Sequence, residues 1–246
     1  VSCGTCRACC NSRENICPNR QIISMPPREG AFAQYVTMPE RNLVAVPSDY
    51  CLQKAALVEP LAVGWHTAKL AVRAIDLSME KRALVIGGGA IGLATALALR
   101  AIGIDDIVIS EFNPLRREYL REHIDAKVVE KTDASFSIII DAVGFGSTRA
   151  IASQLVSPGG IIAHVGLGDN TDGLDVRRIT LQEITFIGTY TYTAKDFKDT
   201  AEALFTGRLG SLEWIEKRPL SEGKASFREL LGNTVAAPKI VLDPWQ

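Results

Sequence analysis

Two groups of residues in this chain have the types and spacing to do chemistry. The first is a run of five cysteines between Cys3 and Cys17, of which Cys3, Cys6, Cys9 and Cys17 follow the spacing C-x2-C-x2-C-x7-C. Four thiolates on so short a loop can surround one zinc ion tetrahedrally and leave no position for water, so the site is structural rather than catalytic. Cys10 competes with Cys9 for the metal, and the regular spacing favours Cys9. Disulfides and an iron–sulfur cluster are the rival readings. The cysteines are confined to one stretch instead of spread in pairs, and a ferredoxin spacing is missing, which weighs against both. The sixth cysteine, Cys51, stands apart and reads as a small buried apolar side chain.

The second group lies in "ALVIGGGAIGLATALAL", which carries G-x-G-x-x-G at Gly87, Gly89 and Gly92. That string is weak in isolation. Here it follows an apolar strand and opens a helix, and Glu111 comes nineteen residues after Gly92 at the end of the next strand. This context is the dinucleotide fingerprint. Gly87 permits the tight turn, Gly89 lets the backbone approach a pyrophosphate, and Gly92 lets helix and strand pack closely. Ala90 and Ile91 open the helix, whose unpaired N–H groups and dipole favour phosphate. A glycine-rich turn with no ligand is the bland alternative. Glu111 should accept hydrogen bonds from the ribose hydroxyls and repel a 2′-phosphate, which favours NAD over NADP. Arg116 and Arg117 close behind could take that phosphate, line a solvated helix face or, for Arg116, lie flat over the adenine. Ligands sit beyond the carboxyl ends of parallel strands, so Ala142 to Gly144 and Val165, Gly166 and Leu167 should line the nicotinamide half of the cleft.

The elements that must hold these residues are legible from periodicity. Between Arg82 and Tyr190 short apolar runs, "ALVI", "DIVIS", "AKVV", "SIIIDAVG", "GIIAHVG" and "ITFIGTY", alternate with helical stretches. That order implies a doubly wound parallel sheet with right-handed crossovers. A helix begins near Lys54 and contains Pro60 in its first turn, where a missing N–H is harmless. Flanking this α/β unit, "GAFAQYVTMPERNLVAVP" from Gly30 to Pro47 alternates apolar and polar residues as short antiparallel strands do. The tail, with "EWIEKRPL", "ASFRELL" and "KIVLD", returns to mixed character.

With 246 residues, 22% of them charged, and a net charge of −1, nothing draws the chain to nucleic acid or an anionic membrane. Its apolar runs fall short of the roughly 18 residues of a membrane span, and no signal peptide is expected from its composition. Val1 is followed at once by the dense cysteine motif, so the expectation is a fragment or trimmed product of a longer protein.

The cysteine loop, the following "GAFAQYV", "VEPLAVGWHTA" and the "GGGAIG" turn with Glu111, in this order, resemble a zinc-containing medium-chain dehydrogenase. The resemblance covers essentially the whole chain and is closest to the polyol and threonine dehydrogenase branch, where "EPLAV" is characteristic. It implies an α/β fold: a Rossmann domain over residues 55–205, inserted in a partial GroES-like β-rich catalytic domain built from residues 1–54 and 206–246. It also implies a dimer or tetramer acting on a small alcohol or polyol, while the clustered cysteines point to a cytoplasmic protein. In the family, zinc acidifies the alcohol and hydride passes to NAD. By resemblance Glu59 is the acidic group beside the catalytic zinc; its bland reading is a carboxylate favoured by a helix N-terminus.

The chain also departs from the family. The family's other catalytic zinc ligands, a cysteine and a Gly-His-Glu step, precede the four-cysteine loop. Here His66, His123 and His164 are none of them followed by Glu. His66 and His164 read as packed, hydrogen-bonded histidines, and no three-ligand catalytic site can be assembled. Three functions compete: an NAD-dependent zinc alcohol or polyol dehydrogenase represented by a chain inactive on its own; a non-catalytic NAD-binding or assembly protein of the same family; and a zincless quinone or enoyl reductase, which the cysteine loop argues against. Open sheet edges and bared apolar surface argue against the second.

Overall fold

The computed structural model describes residues 1–246. Its centre is a six-stranded, wholly parallel sheet made from β1 (Arg82–Ile86), β2 (Asp106–Ser110), β3 (Lys127–Val129), β4 (Phe136–Asp141), β5 (Val156–His164) and β6 (Thr185–Gly188), in the order β3-β2-β1-β4-β5-β6. Successive side chains of a strand point to opposite faces, and here both faces are apolar. Ala83, Val85, Ile107, Ile109, Ile138, Ile140, Ile161 and Ala163 enter one core; Leu84, Ile86, Val108, Ile139 and Ile162 enter the other. This is why the strands read as continuous apolar runs.

Nine helices accompany the strands. Two are single turns, α1 (Arg7–Cys10) and α2 (Leu52–Ala55), and the remainder are α3 (Val58–Ala74), α4 (Ala90–Ala101), α5 (Pro114–His123), α6 (Gly146–Leu155), α7 (Val176–Leu181), α8 (Ala194–Phe205) and α9 (Gly223–Leu231). The stretch expected as one helix from Lys54 is thus α2 and α3, with the break at Ala56 and Leu57, and Pro60 does sit in the first turn of α3. Gly64 lets α3 cross α4 closely, because a Cβ there would stand 2.5 Å from the backbone of Ala94 and Thr95. α3, α4, α5 and α8 supply the larger core and α6 the smaller. No helix is long and apolar enough to cross a membrane.

Outside this unit the chain makes a small parallel pair, β7 (Ile215–Pro219) with β8 (Lys239–Asp243). The strands expected between Gly30 and Pro47 do not form: the only regular element there is a 3-10 turn, Glu40–Asn42. Residues 30–37 are all exposed. Alternation specifies which side chains a strand would bury, but a strand also needs a neighbour for its N–H and C=O groups, and no strand of these 246 residues pairs with this segment. Phe32 and Tyr35 instead make edge contacts with Phe227 and Trp245, at ring-centre distances of 5.5 and 5.8 Å.

Candidate functional site: a cysteine loop and a dinucleotide cleft

The four cysteines selected by spacing come together. Sγ–Sγ distances are 3.5 Å for Cys6–Cys9 and Cys3–Cys17, 3.8 Å for Cys6–Cys17 and 4.0 Å for Cys3–Cys9. A zinc ion with Zn–S of about 2.3 Å at the centre of a tetrahedron requires edges of about 3.8 Å, so the donor set fits zinc in both kind and size. A disulfide would need sulfurs about 2.05 Å apart, and all six cysteines are free. Cys10 turns away, its Sγ 3.6 Å from the Thr5 carbonyl, as the regular spacing requires. Backbone N–H groups of Thr5 and Cys6, then the Thr5 hydroxyl and Cys17, hold the Cys3 thiol down at about 5, while burial pushes the Cys9 thiol up to about 11. This is the one place where three or more potential ligand side chains converge.

The glycine turn lies where β1 and β4 part company, at the carboxyl edge of the sheet. Its three glycines have three different physical reasons. Gly87 has φ +98°, the left-handed region. Gly92 packs against the turn itself, since a Cβ there would stand 1.8 Å from the Gly87 carbonyl oxygen. Gly89 caps α4 and has nothing within 4 Å of its Cβ position. Its openness is therefore not needed for folding and leaves room in front of the helix N-terminus, where Ala90, Ile91 and Gly92 have no intrahelical acceptor for their N–H groups. That cradle suits a pyrophosphate.

Glu111 is buried at the end of β2, its Oε2 accepting from Gly88 N at 2.9 Å and its Oε1 from Asn113 N at 2.8 Å. Each oxygen keeps a lone pair for a ribose hydroxyl. Arg116 brings Nη1 to 3.8 Å from Glu111 Oε2, and its buried Nε has no partner. Arg117 is committed elsewhere, donating to the carbonyls of Glu111 and Phe112 and pairing with Glu130.

Across the switch point, the loops after β4 and β5 touch. A Cβ on Gly87 would meet Val143 Cγ2 at 2.5 Å, and one on Gly144, at φ +80°, would meet the Gly166 backbone at 2.3 Å. Ala142, Val143, Val165 and Gly166 thus line one continuous wall, and Leu167 leaves an apolar side chain 85% exposed at its rim. Two residues that sequence reasoning did not single out hold this wall. Asp141, fully buried, accepts from Val143 N, Gly144 N and the Thr148 hydroxyl. Arg149 reaches from α6 to the loop after β5. Asp141 had a visible signal, a carboxylate closing an otherwise apolar strand. Arg149 had none, since a helical arginine reads as a solvated face.

His66 and His164 are held by hydrogen-bonding neighbours. His66 is buried, with Nδ1 2.7 Å from Asp196 Oδ2 and Nε2 3.5 Å from Asn15 Nδ2, which also donates to the Tyr190 carbonyl at 2.8 Å. This chain of contacts ties the cysteine loop to α3 and α8. His164 sits 3.6 Å from Asp141 and 3.5 Å from Arg149, and His123 is exposed with Nδ1 on the Tyr119 carbonyl. Cys51 is not buried: it lies on the surface with Sγ 3.0 Å from Gln53 Oε1, because it precedes α2 at a turn that no apolar element covers. Glu59 lies exposed in the first turn of α3, and no cysteine or histidine joins it. Burial, then the Glu59 carboxylate nearby, pushes the Tyr192 hydroxyl above its ordinary value. The four cysteines therefore fit one structural zinc, whereas Glu59 has no cysteine or histidine beside it.

Asp196 carries a prediction about pH. Burial opposes its ionisation, but donors on His66, Lys69 and Thr193 outweigh burial and hold the carboxyl well below the usual carboxylate range. A folded pKa below the unfolded value of about 3.9 means stability that is fully present above about pH 5 and lost progressively as pH falls below 4 toward the lower folded value. Asp196→Asn should cost about 3–5 kcal/mol at neutral pH, the penalty of breaking a buried pair. Urea titrations between pH 7 and 3 should show that gap closing as pH falls. A gap that is the same at both ends would remove Asp196 as the source of the acid sensitivity.

Comparison with known proteins agrees with this geometry. A family model described as "Zinc-binding dehydrogenase" matches residues 90–206, and one described as "Alcohol dehydrogenase GroES-like domain" matches residues 1–48. The chain is 34% identical over 222 residues to a probable diacetyl reductase [(R)-acetoin forming] of Saccharomyces cerevisiae, covering 83% of this chain and 52% of that protein. It is 32% identical over 221 residues to sorbitol dehydrogenase of Bacillus subtilis, covering 84% and 61%. It thus spans between half and two thirds of the length of these relatives. Among solved structures, L-idonate 5-dehydrogenase from Escherichia coli superposes with a TM-score of 0.86 at 22% identity, covering 98% of this chain and 72% of that one. Acetophenone reductase from Geotrichum candidum, solved with NAD, gives 0.86 at 23% identity, covering 100% and 72%; at these identities the likeness is one of fold. With the cysteine tetrahedron, the glycine turn and the two family models in agreement, the chain carries the sequence signatures of the zinc-containing medium-chain alcohol dehydrogenases.

Proposed function

We propose that this chain is the nucleotide-binding and zinc-loop portion of a dehydrogenase that oxidises a secondary alcohol or polyol with NAD, and that these 246 residues alone bind NAD and one zinc with little or no turnover. The observation that carries the reading is the unfilled space in front of Gly89, at the N-terminus of α4 and within reach of Glu111. When bound, NAD supplies the acceptor for hydride from the alcohol carbon. The chain's own residues have supporting roles. The N–H groups of Gly89, Ala90, Ile91 and Gly92 hold the pyrophosphate, Glu111 takes the ribose hydroxyls with Arg116 beside it, and the wall of Ala142, Val143, Val165, Gly166 and Leu167 shields the nicotinamide from water. Cys3, Cys6, Cys9 and Cys17 close a zinc completely, so that metal orders a loop and takes no part in chemistry. Glu59, without further ligands, has no metal to complete here, and this favours the non-catalytic NAD-binding reading as the alternative for the isolated chain. Division into residues 1–54, 55–205 and 206–246 belongs to this proposal, as do a homo-oligomer and a cytoplasmic location, which the free thiols support. A secondary alcohol or polyol as substrate draws support from relatives named as (R,R)-butanediol dehydrogenase and sorbitol dehydrogenase.

The test combines zinc analysis, NADH titration and turnover of sorbitol and 2,3-butanediol on the purified chain. We expect about one zinc, saturable NADH binding, and rates far below the usual kcat range of about 1–10³ s⁻¹. Ordinary turnover would overturn the claim of inactivity, and failure to bind NADH would overturn the site. Glu111→Ala should weaken NADH binding by about tenfold, the loss of a charge-assisted hydrogen bond, and should bring NADPH closer to NADH in affinity. An unchanged NADH-to-NADPH ratio would remove Glu111 as the selecting residue.

A further inference from the structure

We propose that Arg149 is a positioning residue for the nicotinamide half of the cleft, locking the loops after β4 and β5 into one wall; this rests on the NAD reading of the site. Arg149 occupies the first turn of α6 and is only 8% exposed. A buried guanidinium must satisfy its donors with precise acceptors, and here every acceptor belongs to one of the two loops or to the strand end between them. Nη1 donates to the Gly144 carbonyl at 2.9 Å, in the loop after β4. Nε donates to the Asp172 carbonyl at 2.9 Å, and Nη2 to Asp169 Oδ1 at 2.5 Å and to the Thr171 carbonyl, all in the loop after β5. His164 Nε2, at the end of β5, lies 3.5 Å from Nη1.

The rest of the geometry makes this grip consequential at the cleft. The loops run backbone against backbone, with Gly168 N donating to the Val143 carbonyl at 3.1 Å and Asp169 N to that of Gly144 at 2.9 Å. Neither Gly144 nor Gly166 has room for a Cβ against the other. A shift in the 169–172 segment is therefore carried into Val143, Val165, Gly166 and Leu167, the residues that face the nicotinamide. The adenosine side has separate supports, namely Glu111, Gly88 and Asn113, none of which Arg149 touches. The ion pair also has a readable consequence: the Arg149 guanidinium holds the Asp169 carboxyl below its ordinary range.

The discriminating experiment measures NADH and 5′-AMP binding on the zinc-loaded chain for Arg149→Lys and Asp169→Asn. Lysine keeps the charge but reaches fewer acceptors than the fork; Asp169→Asn leaves every carbonyl contact in place and guards against a variant that fails to fold. We expect NADH affinity to fall by about tenfold or more in Arg149→Lys and by less in Asp169→Asn, as lost hydrogen bonds to charged groups imply. 5′-AMP affinity should stay within about twofold, a change worth little in free energy. The fluorescence enhancement of bound NADH should drop, reporting a less ordered dihydronicotinamide. Equal losses for NADH and 5′-AMP would reduce Arg149 to a general stabiliser and overturn the proposal, as would NADH binding unchanged in both variants. Wild-type protein that binds 5′-AMP but not NADH would overturn it too, and wild-type protein that binds neither would bring down the NAD reading with it.

Discussion

Cys17→Ser should empty the zinc site: metal analysis of the purified variant should show about one zinc per chain in the wild type and none in the variant. Cys17 is fully buried, accepts from Cys3 N at 3.5 Å, and sits within 4 Å of both Cys3 and Cys6 through Sγ. A serine hydroxyl is a poor zinc ligand and shortens the reach, so the remaining three thiolates would leave an open, exchangeable site that loses the ion on purification. Apparent binding energies of about 10–16 kcal/mol for structural zinc in small peptides indicate how much order depends on the metal. The loss should be local. Of the loop's first twenty residues only Asn15 and Cys17 are buried, and neither belongs to the sheet's cores. Hydrogen exchange should therefore rise across residues 1–22 while the six-stranded sheet keeps its protection. Cys10→Ser, at a thiol turned away from the cluster, should retain the zinc. A zinc-replete Cys17→Ser protein, or a zinc-free Cys10→Ser protein, would show that the ligand set has been assigned wrongly.

The glycine turn offers the second large effect, and two substitutions should separate folding from binding. Gly92→Ala places a methyl 1.8 Å from the Gly87 carbonyl oxygen and 2.9 Å from its carbon. Both are backbone atoms at the neck of the fold, so helix and strand must move apart. The cost should reach or exceed the roughly 1–3 kcal/mol typical of overpacking, and the displaced turn should lose NADH as well. Gly89→Val places its side chain in open space at φ −72°, where any residue is comfortable. Its effect on stability should stay within the roughly 1 kcal/mol of a poorer helix cap. It nevertheless fills the approach to the helix N-terminus, and losing two charge-assisted hydrogen bonds to phosphate should reduce NADH affinity by about a hundredfold or more. Urea denaturation and NADH titration of both variants decide the matter. A stable Gly89→Val protein with wild-type NADH affinity would show that the space before α4 is not the pyrophosphate site.

The doubly wound unit was legible in the sequence because both of its determinants are local. A strand buried on both faces must be apolar at every position, as Ser137 to Ile140 nearly are, and a strand followed by a tight turn into a helix needs glycine at particular steps. The cysteine loop was legible for the same reason: its four ligands lie within fifteen residues, so spacing alone constrains their geometry. The segment from Gly30 to Pro47 misled because alternation describes only one half of what a strand requires. Cys51 misled because a small apolar side chain is at home inside or outside, and nothing near it in sequence says which.

What the sequence determined by itself is the set of local devices: the zinc-sized cysteine loop, the glycine turn, the Glu111 carboxylate at the end of β2, and the order of elements that forces a parallel sheet. Tertiary structure alone decided which distant residues meet. Asn15, His66 and Asp196 join over separations of 51 and 130 residues, and Arg149 on α6 closes on Asp169 and Asp172 in the loop after β5. The reason is physical. A buried charge is tolerated only where the fold brings it fixed partners, and a charged residue in a helix carries the same sequence signature whether it faces water or a partner that arrives only when the sheet assembles.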